Sequence, residues 1–423
     1  MPHLATIAAL AILTLVAHAG PLTPPPGPPA STDTALRQTD PRTPINDTNT
    51  PGSPTARYRI NAPGTYYLTG PIFAGQNQSG NEIAVQGVTL DLNGFTIYGN
   101  SLFTTQSVDG IKAPSNTTIR NGVIQDFTEE GIDATGAAHV TVEHIRVSGC
   151  RNGIITTAAA RITACHAIDN DNTGIISGDS AVVSDCVATG NGLSGISAQR
   201  HAVIQRCAAR DNGTFGIFTS NGCLVSQCNA SQNGSGILVN QGSLITDSIA
   251  HFNSDVGVLL QSFARAHNTV AMVNGGDGFV ATSGSHIQHC ASIANAAEGF
   301  DISSVVIEHS LAYNNDDSGI LADGTCTIRN NTSDNNARVG GWGIYIIGDH
   351  CLVDSNVVRN NQFTGISVIG VGNAIVRNWS LNNGGTAIGL TAGNAIGPTI
   401  NLFSGSSVLI TPNADHPLAN FRD

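Results

Sequence analysis

The chain restates one sentence about every 21 residues. "CHAIDNDNTGII", "CVATGNGLSGIS", "CAARDNGTFGIF" and "CNASQNGSGILV" begin at Cys165, Cys186, Cys207 and Cys228. A glycine ahead of an apolar residue marks each copy, at Gly110, Gly131, Gly153, Gly174, Gly195, Gly216, Gly236, Gly257, Gly278, Gly299, Gly319, Gly343 and Gly365, with steps of 20 to 22 residues and a single step of 24. A period held this long is the signature of a solenoid, in which each repeat buries its apolar face only by stacking on its neighbours. Within a repeat the apolar residues alternate in short runs broken by Gly, Asn and Asp, which are strand signals. A leucine-rich repeat would need a leucine lattice, and a hexapeptide helix would show a shorter period. What remains is an all-β, right-handed parallel β-helix solenoid with coils of about 21 residues.

Coils about 4.8 Å apart set each residue over its counterpart one period away. Columns of the sequence then become ladders. Cys165, Cys186, Cys207, Cys228, Ser248, Thr269, Cys290 and Ser310 form one small-residue ladder, and Ala160, Ala181, Ala202, Cys223, Ser243, Ala264 and Ser285 a second. Both suit a narrow, close-packed interior. The third is asparagine: Asn170, Asn191, Asn212, Asn253, Asn274, Asn295, Asn315 and Asn361, with Asn233 slipped by one in the short coil. Asparagine at a bend takes the left-handed conformation readily, and its amide offers donor and acceptor to the coils above and below.

Charge narrows the partners. Only 11% of residues are charged, the net charge is −12, and Lys112 is the sole lysine. Nucleic acid needs clustered cations and is excluded as a partner. Leu4 to Ala19 is an apolar stretch closing on Ala17-His18-Ala19, so residues 1–19 read as a signal peptide and the protein as secreted, extracellular or on the cell surface. No later run reads as a transmembrane helix. Residues 20–56 are rich in Pro, Thr and Asn and read as a disordered linker. The β-helix with its N-terminal cap is expected over 57–394 and a closing tail over 395–423. Nine cysteines in an exported chain would ordinarily pair, yet stacked cysteines have parallel side chains spaced too widely for good disulfide geometry, so buried free thiols are expected.

The succession "PGTYYLTGPI", "VTLDLNGFTIYG", the Asn/Gly coils and "HPLANF" resembles secreted bacterial right-handed β-helix repeat proteins of the NosD-like and pectate-lyase-like groups, over about residues 43–423. That superfamily includes polysaccharide lyases, hydrolases and mannuronan epimerases alongside non-catalytic members, and fold alone does not pass on activity. The resemblance implies a polysaccharide or cell-surface glycan as partner, processed or simply bound; a non-catalytic surface or adhesion rod is the other reading.

Three groups of residues could carry chemistry. His267, His289, Glu308, His309 and Arg329 fall on adjacent columns and supply acid, base or cation. Asp277, Glu298, Asp301, Asp316 and Asp317 cluster near marker glycines and offer the several oxygens that Ca²⁺ takes. In the scheme that pectate-lyase-like proteins imply, the ion would neutralise a uronate while Arg329 or Arg338 draws its C5 proton; the catalytic arginine motif has no match here. Epimerases of the fold carry Asp-Pro-His, and "GFDISS" keeps only the Asp. A carboxylate pair could instead hydrolyse a glycoside. Lastly, the column two residues after the marker glycine is largely apolar and should face outward, making Phe218, Leu238, Leu259 and Tyr345 candidates for binding the flat face of a sugar polymer or a protein.

Overall fold

The computed structural model describes residues 41–100, 106–338, 340–402 and 416–423. Arg42–Asp423 is one compact unit, whereas the expected signal peptide and linker residues up to 40 lie outside the described residues. The linker boundary is corrected by the strands themselves: Thr43–Ile45 pairs in parallel with Gly64–Leu68, and Ala56–Ile60 with Ser79–Ile83. Residues 42–56 therefore belong to the first coil, because Pro44 sits where its missing N–H costs nothing at a terminal strand.

A single coil shows the plan. After Gly174, Ile175–Ser177 enters sheet 1, Val182–Ser184 sheet 2 and Val187–Thr189 sheet 3. Between them the chain turns at Ser180 (φ 56°), Asp185 (φ 57°) and Gly190 (φ 68°), each in the left-handed region. Every strand pairs in parallel with its counterpart one coil on, as in Ile175↔Ile196, Val183↔Ile204 and Ala188↔Ala209. Among the described residues sheet 1 accumulates sixteen strands in this way. In the early coils sheets 2 and 3 share one long strand, such as Thr141–Ser148, bent at His144 (φ 54°).

Inside, sheet 1 contributes the column Ile154, Ile175, Ile196 and Ile217 and, two residues on, that of Ser177, Ala198 and Thr219; sheet 2 contributes Ile162, Val183 and Ile204, and sheet 3 Ala167, Ala188 and Ala209, all at 0% exposure. Alanine is used in sheet 3 because that wall approaches the marker glycines. A Cβ on Gly195 would stand 2.7 Å from Asn212 Nδ2 and 2.8 Å from the Gly216 carbonyl oxygen. Those glycines open strands at ordinary φ; lack of room, rather than a turn, excludes a side chain.

The asparagine column is a continuous amide ladder. Asn191 Nδ2 donates to Asn212 Oδ1 (2.9 Å) and to the Ala167 carbonyl (3.2 Å), and Asn212 Oδ1 also accepts the Asn191 backbone N–H (3.1 Å). The same links join Asn212, Asn233, Asn253, Asn274, Asn295 and Asn315 in turn. The ladder residues themselves are not left-handed. The bend falls on the residue before each, Asp211, Gln232, Phe252 and Val273 among them, so the amide serves cohesion and its predecessor takes the unfavourable φ. The cysteine column hands over to asparagine at Asn331, Asn356 and Asn378. Asn420, from the closing tail, adds the next rung: Asn420–Arg422 pairs with Trp379–Leu381, and Phe421 stacks on Trp379 with ring centres 4.6 Å apart. All nine cysteines are buried free thiols. Cys186 Sγ, for example, donates to the Ser184 carbonyl at 3.2 Å.

Replacing Asn253 by Leu keeps the branched heavy-atom skeleton, at a larger volume, but removes the acceptor of the Asn233 N–H and the amide donor to the Ala230 carbonyl in the interior. The variant should lose about 2–4 kcal/mol of stability in urea titration, and a loss below about 0.5 kcal/mol would deny the ladder its role.

Candidate functional site: the outer face of sheet 1

Alternation along each sheet 1 strand sends two columns outward, one residue before the marker glycine and two after it. These two positions lie side by side. Asp109 and Lys112 form an ion pair at 3.0 Å across Gly110, the Phe215 and Phe218 rings meet at 5.8 Å across Gly216, and Trp342 stacks on Tyr345 at 3.9 Å across Gly343. Glu298 and Asp301 occupy the equivalent places about Gly299. Vertically, Phe218↔Leu238, Leu238↔Leu259, Leu259↔Val280, Val280↔Asp301, Asp301↔Leu321 and Leu321↔Tyr345 are in register. The apolar column thus faces outward as expected, half-buried by its own neighbours, with Leu238 at 8% the most covered. The face reads upward as an apolar strip, a carboxylate patch and an aromatic pair.

The acids of the patch divide by role. Asp277 Oδ1 accepts the Glu298 backbone N–H at 3.0 Å, as Asp109 Oδ1 accepts that of Glu130 at 3.0 Å lower in the column. Asp277 is therefore partly a clasp between coils. Glu298 and Asp301 enter no ion pair among the described residues. Burial, a hydrogen bond with Asp277 and the negative charges of Asp277 and Asp317 push the Glu298 carboxyl up to about 7. Burial and the charge of Glu298 raise Asp301, and burial with the charges of Asp301 and Asp255 raises Asp277. Glu298 consequently holds a proton near neutrality, as an acid that hydrogen-bonds or protonates a ligand must.

Asp316 does not join this patch, and Asp317 bears on it only through the effect of its charge on Glu298. They lie in the turn ahead of Ser318, where Arg338 approaches Asp316 at 3.4 Å and the Asp317 carbonyl accepts the Ala337 N–H at 2.8 Å. Among the described residues no three His, Cys, Asp or Glu side chains converge as a metal-binding group. The five acids nominated for Ca²⁺ are divided between the outer face of sheet 1 and the turn ahead of Ser318.

The histidine columns assemble elsewhere, on the outer face of sheet 2. Glu308, at 7% side-chain exposure, accepts Arg329 Nε at 2.6 Å, His286 Nε2 at 3.0 Å and Gln288 Nε2 at 3.3 Å, with His309 Nδ1 at 4.0 Å. His267 stacks on His289 at 5.5 Å and His289 approaches His309 at 5.2 Å. The Arg329 guanidinium, with help from His286, holds Glu308 below the usual carboxylate range. Carboxylate and guanidinium satisfy one another, so Glu308 and Arg329 clasp three coils together and neither is left free as acid or base. Sequence reasoning missed His286 and Trp342. Reading the column before the marker glycine, as well as the one after it, would have found Trp342 beside Tyr345.

A family model described as "Right handed beta helix region" matches residues 73–201. The chain is a right-handed parallel β-helix. No curated protein matches it. Solved structures that resemble it include the A-module of the Azotobacter vinelandii mannuronan C-5 epimerase AlgE4 (16% identity, TM-score 0.37, covering 79% of this chain and 91% of that one). The periplasmic alginate epimerase AlgG is similar at 12% identity and TM-score 0.36, covering 83% of this chain and 84% of that one. The tailspike of E. coli bacteriophage HK620, solved with a pentasaccharide, matches at 12% and 0.39 over 92% and 79%. With TM-scores below 0.5, nothing about the site carries over from them.

Two titrations follow. A carboxyl raised in the folded state binds more protons folded than unfolded, so stability falls as pH rises from about 4.5 to about 7. Melting temperature should drop across that window, and Glu298→Gln, combined with Glu130→Gln because Glu130 is also pushed up to about 7, should flatten the profile; an unchanged slope would contradict the assignment. Glu308 acts oppositely: its contribution is present above its unfolded pKa and vanishes as pH falls through the depressed folded value. Glu308→Gln should cost roughly 1–2 kcal/mol at neutral pH once solvent screening is counted, and nothing well below pH 4.

Proposed function

We propose that the protein binds an extended, hydroxyl-rich carbohydrate polymer along the outer face of sheet 1. One observation carries this reading: Trp342 and Tyr345 form a stacked aromatic platform on the same flat face as the unpaired Glu298 and Asp301, two coils away. Aromatic faces take the apolar face of a pyranose ring while carboxyl groups accept its hydroxyls, and a site of this kind is mostly apolar with few convergent polar groups. The apolar strip from Phe218 to Val280 extends the platform along the solenoid axis, where binding over several rungs adds up. Charge selects among polymers. A uronate would bring negative charge to a patch with no arginine or lysine in it, so a neutral glycan is favoured over the acidic polysaccharide that the family resemblance suggests. The leader-like N-terminus supports a site of action outside the cytoplasm, where such polymers occur.

Affinity electrophoresis and calorimetry on a panel of neutral and uronate-rich polysaccharides test the proposal. Binding to a neutral polymer is expected, with Trp342→Ala weakening it roughly tenfold or more and Glu308→Gln leaving it unchanged. Preference for a uronate polymer, or binding indifferent to Trp342 and Tyr345, would defeat it. Assay of the same mixtures for new reducing ends decides whether the Glu298–Asp301 pair also cleaves what it holds, since Glu298→Gln should then abolish product without abolishing binding.

A further inference from the structure

At the C-terminal end the winding rule breaks. Sheet 2 continues normally there, Ala374–Val376 pairing directly with Ala395–Ile396 of the next coil. In sheet 3 the same two coils are held apart, because Asn420–Arg422 lies between Trp379–Leu381 and Thr399–Asn401 in parallel register with both. Proline opens the gap. In the coils beneath, the residue before each ladder asparagine takes the left-handed bend, Asn330 at φ 56°, Ser355 at φ 58° and Arg377 at φ 59°. One coil on, that place belongs to Pro398, whose ring holds φ at about −65°. The last coil cannot turn this corner as the others do, and sheet 3 is left one strand short.

The tail fills the space by imitating a coil. Phe421 N–H donates to the Asn378 carbonyl at 2.8 Å, just as Trp379 N–H donates to the Asn356 carbonyl at 2.8 Å one rung below. Asn420 stands beside Thr399, which the coil itself carries at the ladder position. Its Oδ1 accepts the Asn378 N–H at 2.9 Å and its Nδ2 donates to the Ile375 carbonyl at 3.0 Å, so the borrowed residue extends the amide ladder that threonine would have ended. Asn420 is wholly buried. Phe421 covers the Trp379 ring, Asp423 accepts the Asn382 N–H, and a Cβ on Gly397 would run into the Leu418 carbonyl.

We propose that this gap is a peptide-binding slot, selective for a parallel strand in which asparagine precedes an aromatic residue, and that the chain's own C-terminus occupies it as an exchangeable ligand. Strand addition of this kind draws affinity from main-chain hydrogen bonds and selectivity from side-chain pockets. The open end of the amide ladder is one pocket and the Trp379 face the other. Because Pro398 prevents the coils from closing on each other, the slot stays formed when the tail leaves, and a strand entering it has little to rearrange.

The full chain carrying Asn420→Leu and Phe421→Pro tests this, since its tail lacks the amide, the ring and the N–H that Asn378 accepts. Fluorescently labelled HPLANFRD, the sequence of residues 416–423, should bind this variant saturably by anisotropy, and the wild-type chain at least tenfold more weakly because its own tail competes. Leucine in place of the peptide's asparagine should cost roughly tenfold or more. Adding Gly397→Ala to the variant should abolish binding, with circular dichroism unchanged. Failure of the peptide to bind the doubly substituted chain, binding indifferent to Gly397→Ala, or loss of the whole fold on replacing the two tail residues would overturn the proposal, the last by making the tail an integral strand.

Discussion

Vertical registry of identical groups is the constraint on which everything else in this molecule depends. The asparagine ladder makes it physical. Each buried amide donates to the next and accepts from the one before, while its oxygen also takes a backbone N–H and its nitrogen reaches a carbonyl of the preceding coil. A one-residue slip of any coil would strand several buried polar groups at once, each expensive. The ladder therefore fixes register as well as adding cohesion. It also explains how a chain with so few charged residues holds a long interior: its polar groups are satisfied along the axis.

Registry has a consequence for chemistry. Side chains in a column point in one direction, so a β-helix builds lines and flat patches easily and enclosed cages poorly. The acids of sheet 1 make a patch whose members raise one another's affinity for protons. On sheet 2, with an arginine and a histidine in the same columns, a comparable carboxylate becomes the centre of an ion-pair clasp. The same residue type thus takes opposite titration behaviour according to the charge of the rungs beside it. Extended ligands suit such surfaces, which is the physical ground for proposing a polymer on sheet 1.

Much of the fold was legible because the period is written into the chain. The inward columns of Cys186 and Ala181, the outward column of Phe218 and Leu259, and the clustering of Glu308 with Arg329 all follow from counting 21 residues. Other features resisted counting. The beginning of the first coil at Arg42 was hidden because its strand is short and flanked by proline and turn residues. The ladder asparagines were expected at left-handed bends, yet the residue before each takes that conformation, since the amide must point inward to reach its neighbours. The marker glycines showed the period but not its cause, which is want of space beneath the next coil.

By itself, then, the sequence determined the architecture, the coil length, the inward ladders and which residues share a column, because stacking turns periodicity directly into neighbourhood. Tertiary structure alone decided which side chains of neighbouring columns touch. It gave Glu308 its His286 partner and set Arg338 against Asp316. Those relations depend on where three bends per coil aim the side chains, and a repeat count carries distance along the axis but no angle around it.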